Sequence, residues 1–145
     1  MRTLCVGKVR TKLITVSISF LCNQKAVSVH ILAAFDARMK EVYWGCYVRN
    51  EAGLVELQGE EQVCSPHQVE IPVAGKWCGA GTGWFEYAEA LLQHANNEID
   101  EYYADAHPHA CDVALLAIDK AARQGMESAS QAIPVYLRNK VVHTR

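Results

Sequence analysis

The stretch "AAFDARMKEVYWGCY", residues 33–47, decides how this chain is read. It continues the apolar run "HILAAFDA", which begins at residue 30. Asp36 and Arg38 then separate that run from an aromatic one. A short continuous apolar run predicts a strand buried on both faces. "EVYWGCYVR" alternates instead, with Val42, Trp44, Cys46 and Val48 on one face and Tyr43, Gly45, Tyr47 and Arg49 on the other. That is the period of a β-strand. "NEAG" at 50–53 is turn chemistry, and "LVELQ" makes a third strand. The three segments predict an antiparallel meander.

Further along, "SPHQVE" offers a helix start, with Ser65 as N-cap and Pro66 at the first helical position, and "IPVAGK" cuts that helix short. "KWCGAGTGW" predicts a brief strand running into a glycine-rich turn. "WFEYAEALLQHA" predicts a helix that buries Phe85, Ala88, Leu91 and Leu92 on one face. The polar stretch "NNEIDEYYADAH" leads to a longer helix between Pro108 and Gly125. There Cys111, Leu115, Ile118 and Ala122 form one stripe, flanked by Val113, Leu116 and Ala117. The apolar tail "IPVYLR" is expected to dock on the body. Strands first and helices afterwards predict a mixed α/β layer structure.

With 145 residues, half of them apolar and 21% charged, the chain suits one domain or one lobe of a larger fold. A net charge of −2 argues against a broad nucleic-acid-binding surface. The one basic cluster is the terminal "LRNKVVHTR". Cysteines stand at 5, 22, 46, 64, 78 and 111 without a C-x-x-C pair, so zinc-ribbon and thioredoxin spacings are absent, and reduced thiols in a cytoplasmic setting are favoured over disulfides. "MRTLCVGKVRTK" followed by "LITVSISFLC" has the outline of a signal peptide. Its Thr15, Ser17 and Ser19, however, alternate with Val16, Ile18 and Phe20, a strand pattern. No run is long enough to span a membrane as a helix.

Three constellations could carry chemistry. Asp36 could act as base or metal ligand with Arg38 holding an anion, or the pair could simply finish a strand end. Gly79, Gly81 and Gly83 could admit a phosphate or an adenine ring, or serve only a tight turn. Asp105, His107, His109 and Cys111 are competent metal ligands, although Pro108 breaks their spacing and a polar helix entry explains them equally. Neither a G-x-S-x-G elbow nor a Cys/His nucleophile pair is recognisable.

The segment "ILAAFDARMKEVYWGCY" closely resembles the "DARM-x-EVYW" segment of the bacterial TsaB family, also called YeaZ. "GTGW" at 81–84 and "PVYLRN" at 134–139 agree with that family in order and separation. The resemblance runs from about residue 30 to the end. It implies an actin-like ATPase (ASKHA, RNase H-like) lobe, an antiparallel meander with flanking helices. It also implies a degenerate, non-catalytic paralogue of the transferase TsaD, working as a scaffold with TsaD and the ATPase TsaE. Their shared task is threonylcarbamoyl transfer to the anticodon-adjacent adenosine of tRNA, which this chain would meet only indirectly. The older M22 glycoprotease label finds no support in these residues.

Active actin-like lobes carry glycines in the first hairpin turn, whose amides reach nucleotide phosphates. Here Ala37, Arg38 and Met39 stand there. The resemblance therefore implies no cofactor and no metal, with Gly79, Gly81 and Gly83 as a vestige of the adenosine side; a degenerate nucleotide-binding module is the alternative. Asp36, Arg38, Tyr43 and Trp44 are expected to be structural, bracing the hairpin at the lobe cleft. Residues 1–29 do not match the first lobe that family members carry. The expectation is a second lobe, residues 30–145, behind an unrelated leader from a frameshift or alternative start. A lobe without its neighbour exposes apolar surface, so self-association is expected.

Overall fold

The structure, a computed structural model, describes residues 30–51, 53–71, 75–94, 99–125, 128, 137 and 138. The strand pattern at 15–20, Cys5, Cys22 and most of the "IPVYLR" tail lie outside them.

The apolar run becomes β1 (His30–Asp36) and the aromatic run β2 (Val42–Arg49), paired antiparallel from His30↔Val48 to Asp36↔Val42. Strand β1 is buried on both faces, as its unbroken apolar sequence requires. Ile31 and Ala33 join a cluster with Tyr47, Val55, Ala80 and Ala106. Leu32 and Ala34 face the other side, among Val42, Trp44, Cys46, Trp77, Trp84 and Leu91. Gly53, with φ 78°, closes the turn into β3 (Val55–Cys64), where the Asn50 amide donates to the Leu54 carbonyl at 2.8 Å. Strand β3 runs well past Gln58, where the apolar pattern stops. A bulge opposite Trp44–Cys46, with Gly59 at φ 75°, absorbs the irregularity and lets pairing resume at Gln62.

The meander is only part of the sheet. Strand β4 (Trp77–Ala80) lies parallel to β1, and β5 (Ile99–Tyr103) lies parallel to β4, giving the order β3-β2-β1-β4-β5. Sequence reading missed β5, because "IDEYY" at a sheet edge is too polar to stand out from its surroundings. Ser65 and Pro66 open only a 3-10 turn, Pro66–Gln68, whose His67 amide donates to Ser65 Oγ.

The helix expected over residues 84–95 breaks at Tyr87 into α1 (Gly83–Glu86) and α2 (Ala88–His94). Phe85, assigned above to the buried face, is 78% exposed; Trp84 and Leu91 carry the packing instead. Helix α3 (Ala110–Gln124) ends at Gly125, as predicted, and its apolar stripe faces outward. Leu115 and Ile118 are 49% and 67% exposed while Asp112 is buried. No helix among the described residues is long and apolar enough to cross a membrane.

Trp44 sits in the core and donates Nε1–H to the Glu70 carbonyl at 3.2 Å. Trp44→Ala should cost about 3–5 kcal/mol in chemical denaturation, the range for a buried aromatic. Phe85→Ser should change stability by no more than about 0.5 kcal/mol; similar losses for both would refute the packing described. Asp112 gives a second prediction. Its Oδ2 has no hydrogen-bond partner among the described residues, and burial pushes its carboxyl above the ordinary value of 3.8, with His109 opposing. A raised folded pKa contributes stability below the unfolded value, and that contribution is lost as pH climbs through the folded one. Asp112→Asn should therefore raise the melting midpoint at neutral pH, with the gain shrinking as pH falls towards 3.8. A loss at neutral pH would mean that the helix N-terminus stabilises the anion instead.

Candidate functional site

The parallel strands β1, β4 and β5 end on one side of the sheet, where open α/β sheets place their ligand crevices. A cleft of about 450 Å³ lies there, lined by Asp36, Arg38, Thr82, Phe85, Glu86, Ala104 and His107. Asp36 is the last residue of β1. Thr82 and Glu86 come from the turn and short helix after β4, and Ala104 and His107 from the segment after β5.

The turn between β1 and β2 forms the wall at Asp36. Arg38, Met39 and Lys40 all have left-handed backbones, with φ of 61°, 56° and 60°. Each such residue costs about 1–2 kcal/mol when it carries a side chain, so neighbouring contacts must hold the turn. Asp36 Oδ1 accepts from the Arg38 amide at 2.9 Å, and Oδ2 meets the Arg38 guanidinium at 3.3 Å. The Ala37 amide donates to the Glu41 carbonyl and the Glu41 amide to the Arg38 carbonyl, at 2.9 and 3.1 Å. Across the cleft, Thr82 Oγ1 accepts from the Asp36 amide at 3.3 Å. The far end of the chain supplies a further clamp: Arg138 pairs with Glu41, and its guanidinium also lies 3.5 Å from the Arg38 carbonyl and 3.6 Å from Met39 Sδ. Arg138 of "PVYLRN" thus meets the "DARM" turn in space.

The glycine-rich turn is explained by packing. A Cβ at Gly79 would stand 2.6 Å from the Trp84 ring and 2.7 Å from Tyr102 Cβ. Gly81, at φ 111°, lies so close to β1 that a Cβ would come within 2.4 Å of the Ala34 carbonyl oxygen. Gly83 opens α1 against Ala34 in the same way. Of these three glycines, none lines the cleft; Thr82 and Glu86 do. Trp84 itself donates Nε1–H to the Leu32 carbonyl at 3.1 Å and stacks on Tyr102.

The field in the cleft leans negative. Burial raises the phenol of Tyr87 beside it, Asp36 and Glu86 raise it further, and Arg38 only partly opposes them. The Cys46 thiol is pushed up to about 11 by burial, against a lowering contact from Trp44, and is therefore no nucleophile at neutral pH. Burial, Glu41 and Glu70 likewise raise Cys64. Among the described residues no three His, Cys, Asp or Glu side chains gather as metal ligands. The candidate set at 105–111 disperses: His107 turns to the cleft, His109 precedes α3, and Cys111 lies exposed on the helix.

Sequence reading therefore placed Asp36 and Arg38 in one turn and named His107 only as a possible metal ligand, but missed Thr82, Glu86 and Arg138. Tyr43 packs on the Ile31 face and Trp44 on the Leu32 face, so neither enters the cleft lining. Arg138 lay inside a recognised motif, yet its pairing with Glu41 spans 97 positions and leaves no local signature.

No protein-family model matches the chain. It is 34% identical over 125 residues to the tRNA threonylcarbamoyladenosine biosynthesis protein TsaB of Escherichia coli K12, an alignment covering 81% of this chain and 52% of that protein. YeaZ from Pseudomonas aeruginosa superposes with a TM-score of 0.74 at 37% identity, covering 86% of this chain and 56% of that one. A crystal structure described as a protein with similarity to peptidase YeaZ, from the same organism, gives 0.76 at 38% identity over the same shares. The chain spans about half the length of these relatives. Over that shared stretch the chain is similar to the TsaB (YeaZ) proteins in both sequence and fold.

Proposed function

We propose that this chain is a non-catalytic scaffold, corresponding to the second, actin-like lobe of TsaB. It supports TsaD and TsaE in threonylcarbamoyl transfer to the anticodon-adjacent adenosine of tRNA, and the reading carries cytoplasmic residence with it. The family likeness supports the process, and the strand order β3-β2-β1-β4-β5 supports the actin-like reading.

The observation that carries the non-catalytic part is the β1–β2 turn. Phosphate binding by such a turn needs free amides and close backbone approach. Here the amides of Ala37, Arg38 and Glu41 already donate within the turn, and side chains occupy three consecutive left-handed positions. Asp36 and Glu86 line the adjoining cleft, and like charge makes their carboxylates unfavourable neighbours for a phosphate. Asp36 and Arg38 brace the turn, and Tyr43 and Trp44 anchor the hairpin behind it. Gly79, Gly81 and Gly83 serve close packing.

The second reading, a degenerate nucleotide-binding module, has one observation in its favour. The cleft lies at the carboxyl ends of parallel strands and, at about 450 Å³, falls within the range of small-molecule sites.

Reconstitution tests the scaffold role. TsaD, TsaE and unmodified tRNA are incubated with ATP and a threonylcarbamoyl donor, with and without this chain, and the tRNA is digested for nucleoside mass spectrometry. The expected result is modified adenosine that requires TsaD and TsaE and increases several-fold when this chain is added. Modification by this chain alone would overturn the non-catalytic reading. No gain on its addition would overturn the partnership.

A further inference from the structure

Two imidazoles meet on the surface outside the cleft. His67 belongs to the 3-10 turn after β3, and His94 is the last residue of α2. Their ring centroids lie 6.3 Å apart, with the planes inclined at 65°. Both residues are exposed, and neither ring has a hydrogen bond or ion pair among the described residues. Their backbones are nonetheless fixed. Pro66 is buried next to His67, whose amide donates to Ser65 Oγ, and the Gln68 amide donates to the Ser65 carbonyl at 2.9 Å. Leu91, 1% exposed, anchors the last turn of α2 in the core.

We propose that His67 and His94 together bind a late first-row divalent cation of the zinc type, with water in the remaining coordination positions. Imidazole is among the preferred ligands of such ions. Two imidazoles sharing a tetrahedral ion, with metal–nitrogen bonds of ~2.0–2.1 Å, hold their ring centres about 5 Å apart. The rings here stand roughly 1 Å wider than that, a gap that rotation of two exposed side chains closes while the backbone stays in place. Position adds to the ligand chemistry. His94 closes α2, where the free carbonyls of the last turn favour a cation. A bound ion would tie the turn after β3 to the helical segment after β4, two pieces that only the fold brings together. The site differs from the set at 105–111, whose members the structure disperses, and it needs only two side chains rather than three. With two protein ligands and open positions, it belongs to the exchangeable class of metal sites and not to the closed structural class. The proposal is independent of the tRNA-modification reading.

Isothermal titration of the full chain with zinc chloride tests it, on the parent, His67→Gln, His94→Gln, the double variant and Cys111→Ser. The expected result is saturable one-to-one binding that weakens ~10-fold or more in either histidine variant and little further in the double, as two ligands acting on one ion require. Cys111→Ser, which removes an exposed thiol, should bind like the parent. In nitrogen-15 spectra of the parent, the imidazole signals of His67 and His94 should shift together at the same zinc ratio. Each of three outcomes overturns the proposal: no saturable binding, binding that either histidine variant leaves intact, or a shift confined to one of the two rings. Should a variant fail to fold, the imidazole spectra of the parent decide.

Discussion

The contact between Trp84 and the backbone of β4 at Gly79 holds the functional edge of this molecule together. The indole lies where any Cβ at residue 79 would have to go, donates to the Leu32 carbonyl of β1, and stacks on Tyr102 of β5. One side chain thus ties together the three parallel strands whose ends form the cleft. It also fixes the start of α1, and with it Thr82, whose hydroxyl oxygen accepts from the Asp36 amide across the cleft. Glycine is required at 79 because two aromatic residues converge on it.

The turn opposite is the costlier half of the site. Three successive left-handed residues with side chains are disfavoured by several kcal/mol in total on the general scale. The Asp36–Arg38 pair, the internal hydrogen bonds of the turn and the Arg138 clamp on Glu41 offset that cost. A turn so committed to its own contacts has little left to offer a ligand. Two carboxylates, those of Asp36 and Glu86, line the cleft beside it.

Much of this was legible in the sequence, for identifiable reasons. Strand β1 announced itself because both its faces are buried, and β2 because its two faces alternate over a long run. Gly125 and Pro108 bracketed α3 through capping chemistry that is local by nature. What escaped was set by partners distant in sequence. Strand β5 is held by pairing with β4 and carries no apolar signature. Phe85 has helical spacing for burial, but the break at Tyr87 turns it outward. The cleft joins Asp36 at the end of β1 to Thr82 and His107 from two later loops, and Arg138, distant in sequence, reaches the turn beside it. Periodicity also aligned the α3 stripe but left open which way it faces, and Leu115 and Ile118 are exposed.

The central claim is that the cleft keeps the location of a nucleotide site without its phosphate chemistry. Isothermal titration of the purified chain with ATP and with ADP, each with magnesium, tests it most directly. Flat titrations at concentrations that saturate ordinary nucleotide-binding proteins are the predicted result. Saturable binding of either nucleotide, abolished by placing a bulky side chain at Thr82, would contradict the claim and make the cleft a working nucleotide site.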